Sequence, residues 1–61
     1  MPFVTVEAFE GKTLQQKRDV VKAITDAVCK SYGVPKEAVR VALRFNKPED
    51  VAHGGVLRCD E

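Results

Sequence analysis

Apolar and polar residues alternate over the first stretch of the chain, Pro2-Phe3-Val4-Thr5-Val6-Glu7-Ala8-Phe9. This period of two predicts a strand over residues 2–9, with Val4, Val6 and Ala8 on one face and Phe3, Thr5, Glu7 and Phe9 on the other. Both faces carry apolar groups, the mark of a strand covered on both sides. Glu10-Gly11-Lys12 ends the alternation and turns the chain. Thr13-Leu14-Gln15-Gln16 then fits a capping box, in which the Thr13 hydroxyl accepts from the Gln16 N–H while the Gln16 side chain reaches back. From there the period becomes helical. Leu14, Val20, Val21, Ile24, Ala27, Val28 and Tyr32 form an apolar stripe, with Lys17, Lys22, Asp26 and Lys30 largely outside it. Gly33 suits a left-handed stop after Tyr32, and Pro35 prevents continuation. One short turn fits Pro35–Ala38. The clearest alternation follows: Val39, Val41, Leu43 and Phe45 on one face of a second strand, Arg40, Ala42 and Arg44 on the other. Asn46–Asp50 reads as a loop, and Gly54-Gly55 lets the tail, Val51–Glu61, form a small hairpin.

Strand, helix and strand make one βαβ unit. The predicted class is α/β: a single domain over residues 1–61 with two parallel strands, one long helix and a short C-terminal hairpin. The crossover exceeds the dozen residues that parallel pairing needs, and its expected hand is right-handed. One helix covers one face of a two-stranded sheet. The other face and both strand edges stay open, which invites pairing with a second copy into a shared sheet.

Composition strengthens that expectation. A chain of 61 residues removes only about 60% of its unfolded surface on folding, so a lone monomer is marginal. Two cysteines, Cys29 and Cys59, and one histidine, His53, supply neither a disulfide framework nor a metal-ligand spacing. Reduced thiols in a cytoplasmic protein are expected. With no staple and no metal, sharing a core between copies is the remaining route to stability. Ten Lys+Arg against nine Asp+Glu give a net charge of +1. That balance argues against a nucleic-acid partner or a polybasic membrane anchor. No apolar run is long enough to span a bilayer, and no signal-peptide pattern opens the chain.

The catalytic inventory is thin. There is no spacing for a Ser-His-Asp triad, a glycine-rich phosphate loop or paired His ligands. The unusual feature is Pro2, directly after Met1. Initiator methionine is normally trimmed before a residue as small as proline, which would leave a secondary amine on a rigid ring. An α-amino group ordinarily titrates near ~8. Desolvation and neighbouring cations both lower that value, toward a free base at neutral pH. The plain alternative is a proline that opens a strand at no cost in ladder hydrogen bonds.

Met1-Pro2-Phe3-Val4-Thr5-Val6, Glu10-Gly11-Lys12, Gln16-Lys17, Val39-Arg40-Val41 and Gly54-Gly55, at these mutual spacings, resemble the 4-oxalocrotonate tautomerase family over nearly the whole chain. The resemblance implies βαβ subunits that pair into dimers and assemble as hexamers, trimers of dimers. It implies an isomerase of aromatic catabolism that converts a 2-hydroxydienoate such as 2-hydroxymuconate to its conjugated ketone, with no metal or organic cofactor. By the same resemblance Pro2 matches the catalytic base. Arg40 matches the arginine that binds the substrate's carboxylate and carbonyl end, usually from a neighbouring subunit. Lys12 stands where the family has an arginine for the distal carboxylate, and Val51 where it has an aromatic pocket wall. Lys12 keeps the charge but loses the bidentate fork; Val51 keeps an apolar wall but loses ring area.

Each of these side chains also has a structural explanation. Arg40 could form a surface pair with Glu7, Lys12 could simply face solvent in its turn, and Arg44 and His53 could be solvated or lend polar contacts. Cys29 lies at the border of the helical stripe and reads as packing. Two other functions fit the sequence: a hydratase or dehalogenase of unsaturated acids on the same scaffold, or a non-enzymatic oligomeric module.

Overall fold

A computed structural model describes residues 1–61. Strand β1 (Phe3–Phe9) leads into helix α1 (Leu14–Tyr32), and strand β2 (Arg40–Asn46) returns parallel to β1. A hairpin of β3 (Ala52–His53) and β4 (Val56–Leu57) follows, and single 3-10 turns occupy Lys36–Ala38, Pro48–Asp50 and Arg58–Asp60. The predicted βαβ unit and C-terminal hairpin are therefore both present.

Local signals set the boundaries. The Thr13 hydroxyl accepts from the Gln16 N–H at 3.1 Å, and the Gln16 side chain accepts from the Thr13 N–H at 2.8 Å, closing the capping box. Gly33 stops the helix at φ 68°, and its N–H donates to the Cys29 carbonyl at 3.0 Å. A side chain there would cost strain in the left-handed region. Gly54 and Gly55 both have positive φ, which a two-residue hairpin turn of matching twist requires. The first strand starts one residue later than predicted because Pro2 has no N–H to donate; its carbonyl accepts from the Arg40 N–H at 3.0 Å. The second strand is displaced by one residue because the Val39 N–H is used in the preceding turn, donating to the Lys36 carbonyl.

The register pairs Val4 with Val41, Val6 with Leu43 and Ala8 with Phe45, so these six side chains share the face under the helix. Phe3, Thr5, Glu7 and Phe9 share the opposite face with Arg40, Ala42, Arg44 and Asn46. The helix stripe is narrower than its sequence suggests. Val20, Val21, Ile24, Val28 and Cys29 are half-buried, but Leu14, Ala27 and Tyr32 are exposed. Nineteen helical residues extend roughly 28 Å, against roughly 23 Å for a seven-residue strand. The overhang carries Leu14 and Tyr32 past the ends of the sheet. Lys17, expected outside the stripe, is half-buried, with its ammonium 4.6 Å from the centre of the Phe45 ring. Its long apolar stem allows that placement.

No residue of the chain is fully buried. The accessible surface is 4879 Å², whereas a compact monomer of 6.7 kDa exposes about 3,900 Å². The excess, about 1,000 Å², is comparable with one partner's share of a standard protein interface. The radius of gyration, 14.8 Å, likewise exceeds the roughly 10.5 Å of a compact chain of this length. Both cysteines are free, and no helix is long and apolar enough to cross a membrane.

The cap gives a direct test of the helix start. Thr13→Ala removes the hydroxyl acceptor and should lower stability to urea by about 1 kcal/mol. An unchanged midpoint and slope would show that the capping box contributes nothing.

Candidate active site

The parallel sheet separates the candidate residues into two groups. Pro2 and Arg40 lie at its beginning, where Arg40 is the register partner of Phe3 and donates its N–H to Pro2. Pro2 is half-buried and Arg40 exposed. The alternation puts the Arg40 side chain on the open face with Phe3, and Pro2 in phase with Val4 on the helix side. Lys12 and Val51 lie beyond the other end of β1. Seven strand residues put about 23 Å between the two groups. One chain therefore sets the Pro2 and Arg40 backbones side by side with their side chains on opposite faces, and leaves Lys12 and Val51 far from both.

Lys12 and Val51 also face different spaces. Lys12 lines a gap of about 250 Å³ between helix and sheet, with Gln16, Lys17, Val20 and Phe45 among its walls. Val51 is half-buried and lines two adjoining clefts on the other side of β1's end. One, of about 330 Å³, is walled by Glu7, Ala8, Phe9 and Asn46. The second, of about 270 Å³, is walled by Phe9, Ala52, His53, Arg58 and Glu61. Phe9 is common to both, so a ring stands beside Val51 even though position 51 itself lacks one.

Charges on the open face have few partners. The Asn46 amide donates to the Glu7 carboxylate at 2.9 Å. Glu7 thus takes Asn46, and the surface pair between Arg40 and Glu7 does not form. Arg40, Arg44 and Lys12 make no ion pair or side-chain hydrogen bond in the chain; the two ion pairs present are Lys22–Asp26 and Arg58–Glu61. His53 is exposed in the hairpin. No cluster of three His, Cys, Asp or Glu side chains is arranged to hold a metal ion.

A family model for the tautomerase enzymes matches residues 2–58. The chain belongs to the tautomerase family. A probable tautomerase of Listeria monocytogenes serotype 4b (strain F2365) is 42% identical over 60 residues, 98% of each chain. The solved structure of YwhB, a homologue of 4-oxalocrotonate tautomerase, superposes with a TM-score of 0.92 at 33% identity, covering 98% of both chains. A structure from the 4-oxalocrotonate tautomerase isozymes of Methylibium petroleiphilum gives a TM-score of 0.87 at 37% identity, covering 97% of this chain and 95% of that one. The fold and enzyme class expected from the resemblance thus hold: this is a 4-oxalocrotonate tautomerase-like chain, and its class is isomerase.

Two residues of these clefts, Phe9 and Arg58, do not come from the family motifs. Phe9 is legible as an open-face residue, but its place beside Val51 depends on how the tail folds back. Arg58 has a usable signal. A two-residue turn at Gly54-Gly55 pairs Ala52 with Leu57 and His53 with Val56, and continuing that register sets Arg58 opposite Val51. The Arg58 N–H indeed donates to the Val51 carbonyl at 2.8 Å.

Because the Arg40 side chain has no partner within the chain, Arg40→Ala should change stability to urea by less than about 0.5 kcal/mol. A loss of 1 kcal/mol or more would mark it as a structural residue.

Proposed function

We propose that this single domain, residues 1–61, is a homo-oligomeric tautomerase of 2-hydroxydienoates, with 2-hydroxymuconate as its model substrate and Pro2 as the general base. With Met1 attached, the Pro2 nitrogen is an amide and has no basicity. Removal of Met1 frees a secondary amine at the head of β1. Met1 is 86% exposed, so its bond to Pro2 lies open to processing.

The separation of Pro2 from Lys12 and Val51 by the length of β1 carries the assembly part of this proposal. A second copy running antiparallel along the open edge of β1 brings the far end of one strand to the near end of the other. Each site then draws Pro2 from one subunit and Lys12 and Val51 from its partner, with Arg40 supplied by a neighbouring subunit. A trimer of such dimers makes a hexamer and covers the open face that carries Phe3, which is 65% exposed. The excess surface of the single chain and its lack of any fully buried residue support assembly of this kind.

In the reaction, the Pro2 nitrogen accepts the hydroxyl proton of the dienol. The electron pair of that O–H bond becomes the carbonyl π bond, and the π electrons shift along the diene. Pro2 then returns the proton to the distal carbon, so the product is an isomer and nothing is consumed. Arg40 pairs with the carboxylate beside the reacting oxygen and stabilises the charge that develops there. Lys12, at the same end of β1 but on the helix side, adds positive field that attracts the far carboxylate.

Protein with a confirmed free Pro2 should ketonise 2-hydroxymuconate well above the buffer rate. Its kcat/KM should rise with pH through a single ionisation near neutrality, since the unprotonated amine is the active form. Arg40→Ala should lower kcat and kcat/KM together, whereas Lys12→Ala should mainly raise KM for dicarboxylates. No turnover by the trimmed protein would reject the assignment.

A further inference from the structure

We propose that Arg58 is a specificity-determining residue that selects dicarboxylate substrates by binding their far carboxylate. The proposal rests on the tautomerase reading of the site, in which Val51 walls the substrate pocket. Of the residues lining the two clefts beside Val51, Arg58 is the one permanent cation. Lys12, which stands where the family has an arginine, opens instead onto the gap between helix and sheet. Arg58 therefore returns to the Val51 side the bidentate guanidinium fork that Lys12 lacks.

Its position is fixed at three points. The backbone N–H donates to the Val51 carbonyl at 2.8 Å. The guanidinium carbon lies 5.5 Å from the centre of the Phe9 ring, within the range where an aromatic face attracts a cation. One guanidinium nitrogen donates to the Glu61 carboxylate at 2.9 Å, in a pair whose side chains remain 59% and 38% exposed. Exposed pairs contribute little to stability. Glu61 thus acts as an internal carboxylate that a substrate carboxylate can replace on the same donors. The apolar body of the substrate meets Phe9 and Val51, and its charged end meets Arg58.

The test compares 2-hydroxymuconate with 2-hydroxy-2,4-pentadienoate, which lacks the far carboxylate. In Arg58→Gln the ratio of kcat/KM for the dicarboxylate over the monocarboxylate should fall about tenfold, through KM, as expected for loss of a charge-assisted bidentate contact. Arg58→Lys should recover part of that ratio, and Glu61→Gln should raise it above the unaltered protein's. A ratio that Arg58→Gln leaves unchanged overturns the proposal while leaving the tautomerase assignment intact. A binding measurement separates the two claims from the other side. The Arg58 Nε–H resonance should shift on titration with the unreactive dicarboxylate trans,trans-muconate and stay in place with the monocarboxylate sorbate. That response in a protein that turns over neither dienol would keep carboxylate binding by Arg58 and reject the 2-hydroxydienoate assignment. A resonance that ignores muconate removes Arg58 from the site.

Discussion

Parallel pairing of Phe3–Phe9 with Arg40–Asn46 forces the chain to travel the full length of the sheet before its second strand can begin. The helix from Leu14 to Tyr32 makes that return and covers one face of the sheet on the way. Nothing in the remaining residues is large enough to cover the other face. The result is a single layer of two strands under one helix, 43 × 24 × 13 Å, with every residue at least partly accessible. Such a layer offers two strand edges and an open face bearing Phe3, and the proposed assembly follows from those unfilled positions. The helix overhang, the exposure of Leu14 and Tyr32 and the half-buried stem of Lys17 all reflect the narrowness of a two-stranded sheet.

The same layout governs the chemistry. A strand is long and stiff, so residues at its two ends cannot serve one small substrate within one chain. Pro2 precedes β1, while Lys12 lies beyond its close on the helix side and Val51 and Arg58 lie beyond it on the other. In the proposed assembly, antiparallel pairing of two copies would turn this separation into two equivalent sites, each with the base at one end and the anchoring groups at the other. In the proposed reaction a single nitrogen takes a proton and gives it back. Beside Val51, Phe9 sets a ring, and the Arg58 guanidinium lies over that ring.

Much of this fold is legible in the sequence because its signals are local. The alternation of β1 and β2, the capping box at Thr13, the stop at Gly33 and the turn at Gly54-Gly55 each depend on a few neighbouring residues, and each appears within one residue of where the pattern puts it. The faces of the two strands are also correct, since alternation fixes them once the register is set. The shift of the second strand comes from a local turn, and the other misplacements depend on partners distant in sequence. The second strand moves by one residue because Val39 spends its N–H on Lys36. Lys17 turns inward because Phe45 stands beneath it, and Glu7 finds Asn46 rather than Arg40 because β2 sets that amide beside it. For the proposed site, Pro2 is visible as a chemical oddity, and Arg40, Lys12 and Val51 only through family resemblance. Arg58 escapes a reading of the sequence because its place opposite Val51 emerges only when the hairpin register is carried one pair further.

Whether each site joins opposite ends of two β1 strands can be tested by mixing two inactive chains. One retains Met1, so its Pro2 nitrogen is blocked. The other has a free Pro2 but carries Lys12→Glu and Arg58→Glu, which repel the far carboxylate. Mixed oligomers, confirmed by native mass spectrometry, should regain 2-hydroxymuconate turnover that neither parent shows, because a free Pro2 from one chain then meets intact cations from the other. Mixed oligomers no more active than the sum of their parents would mean that base and anchoring cations belong to the same chain, which contradicts a site shared across the dimer.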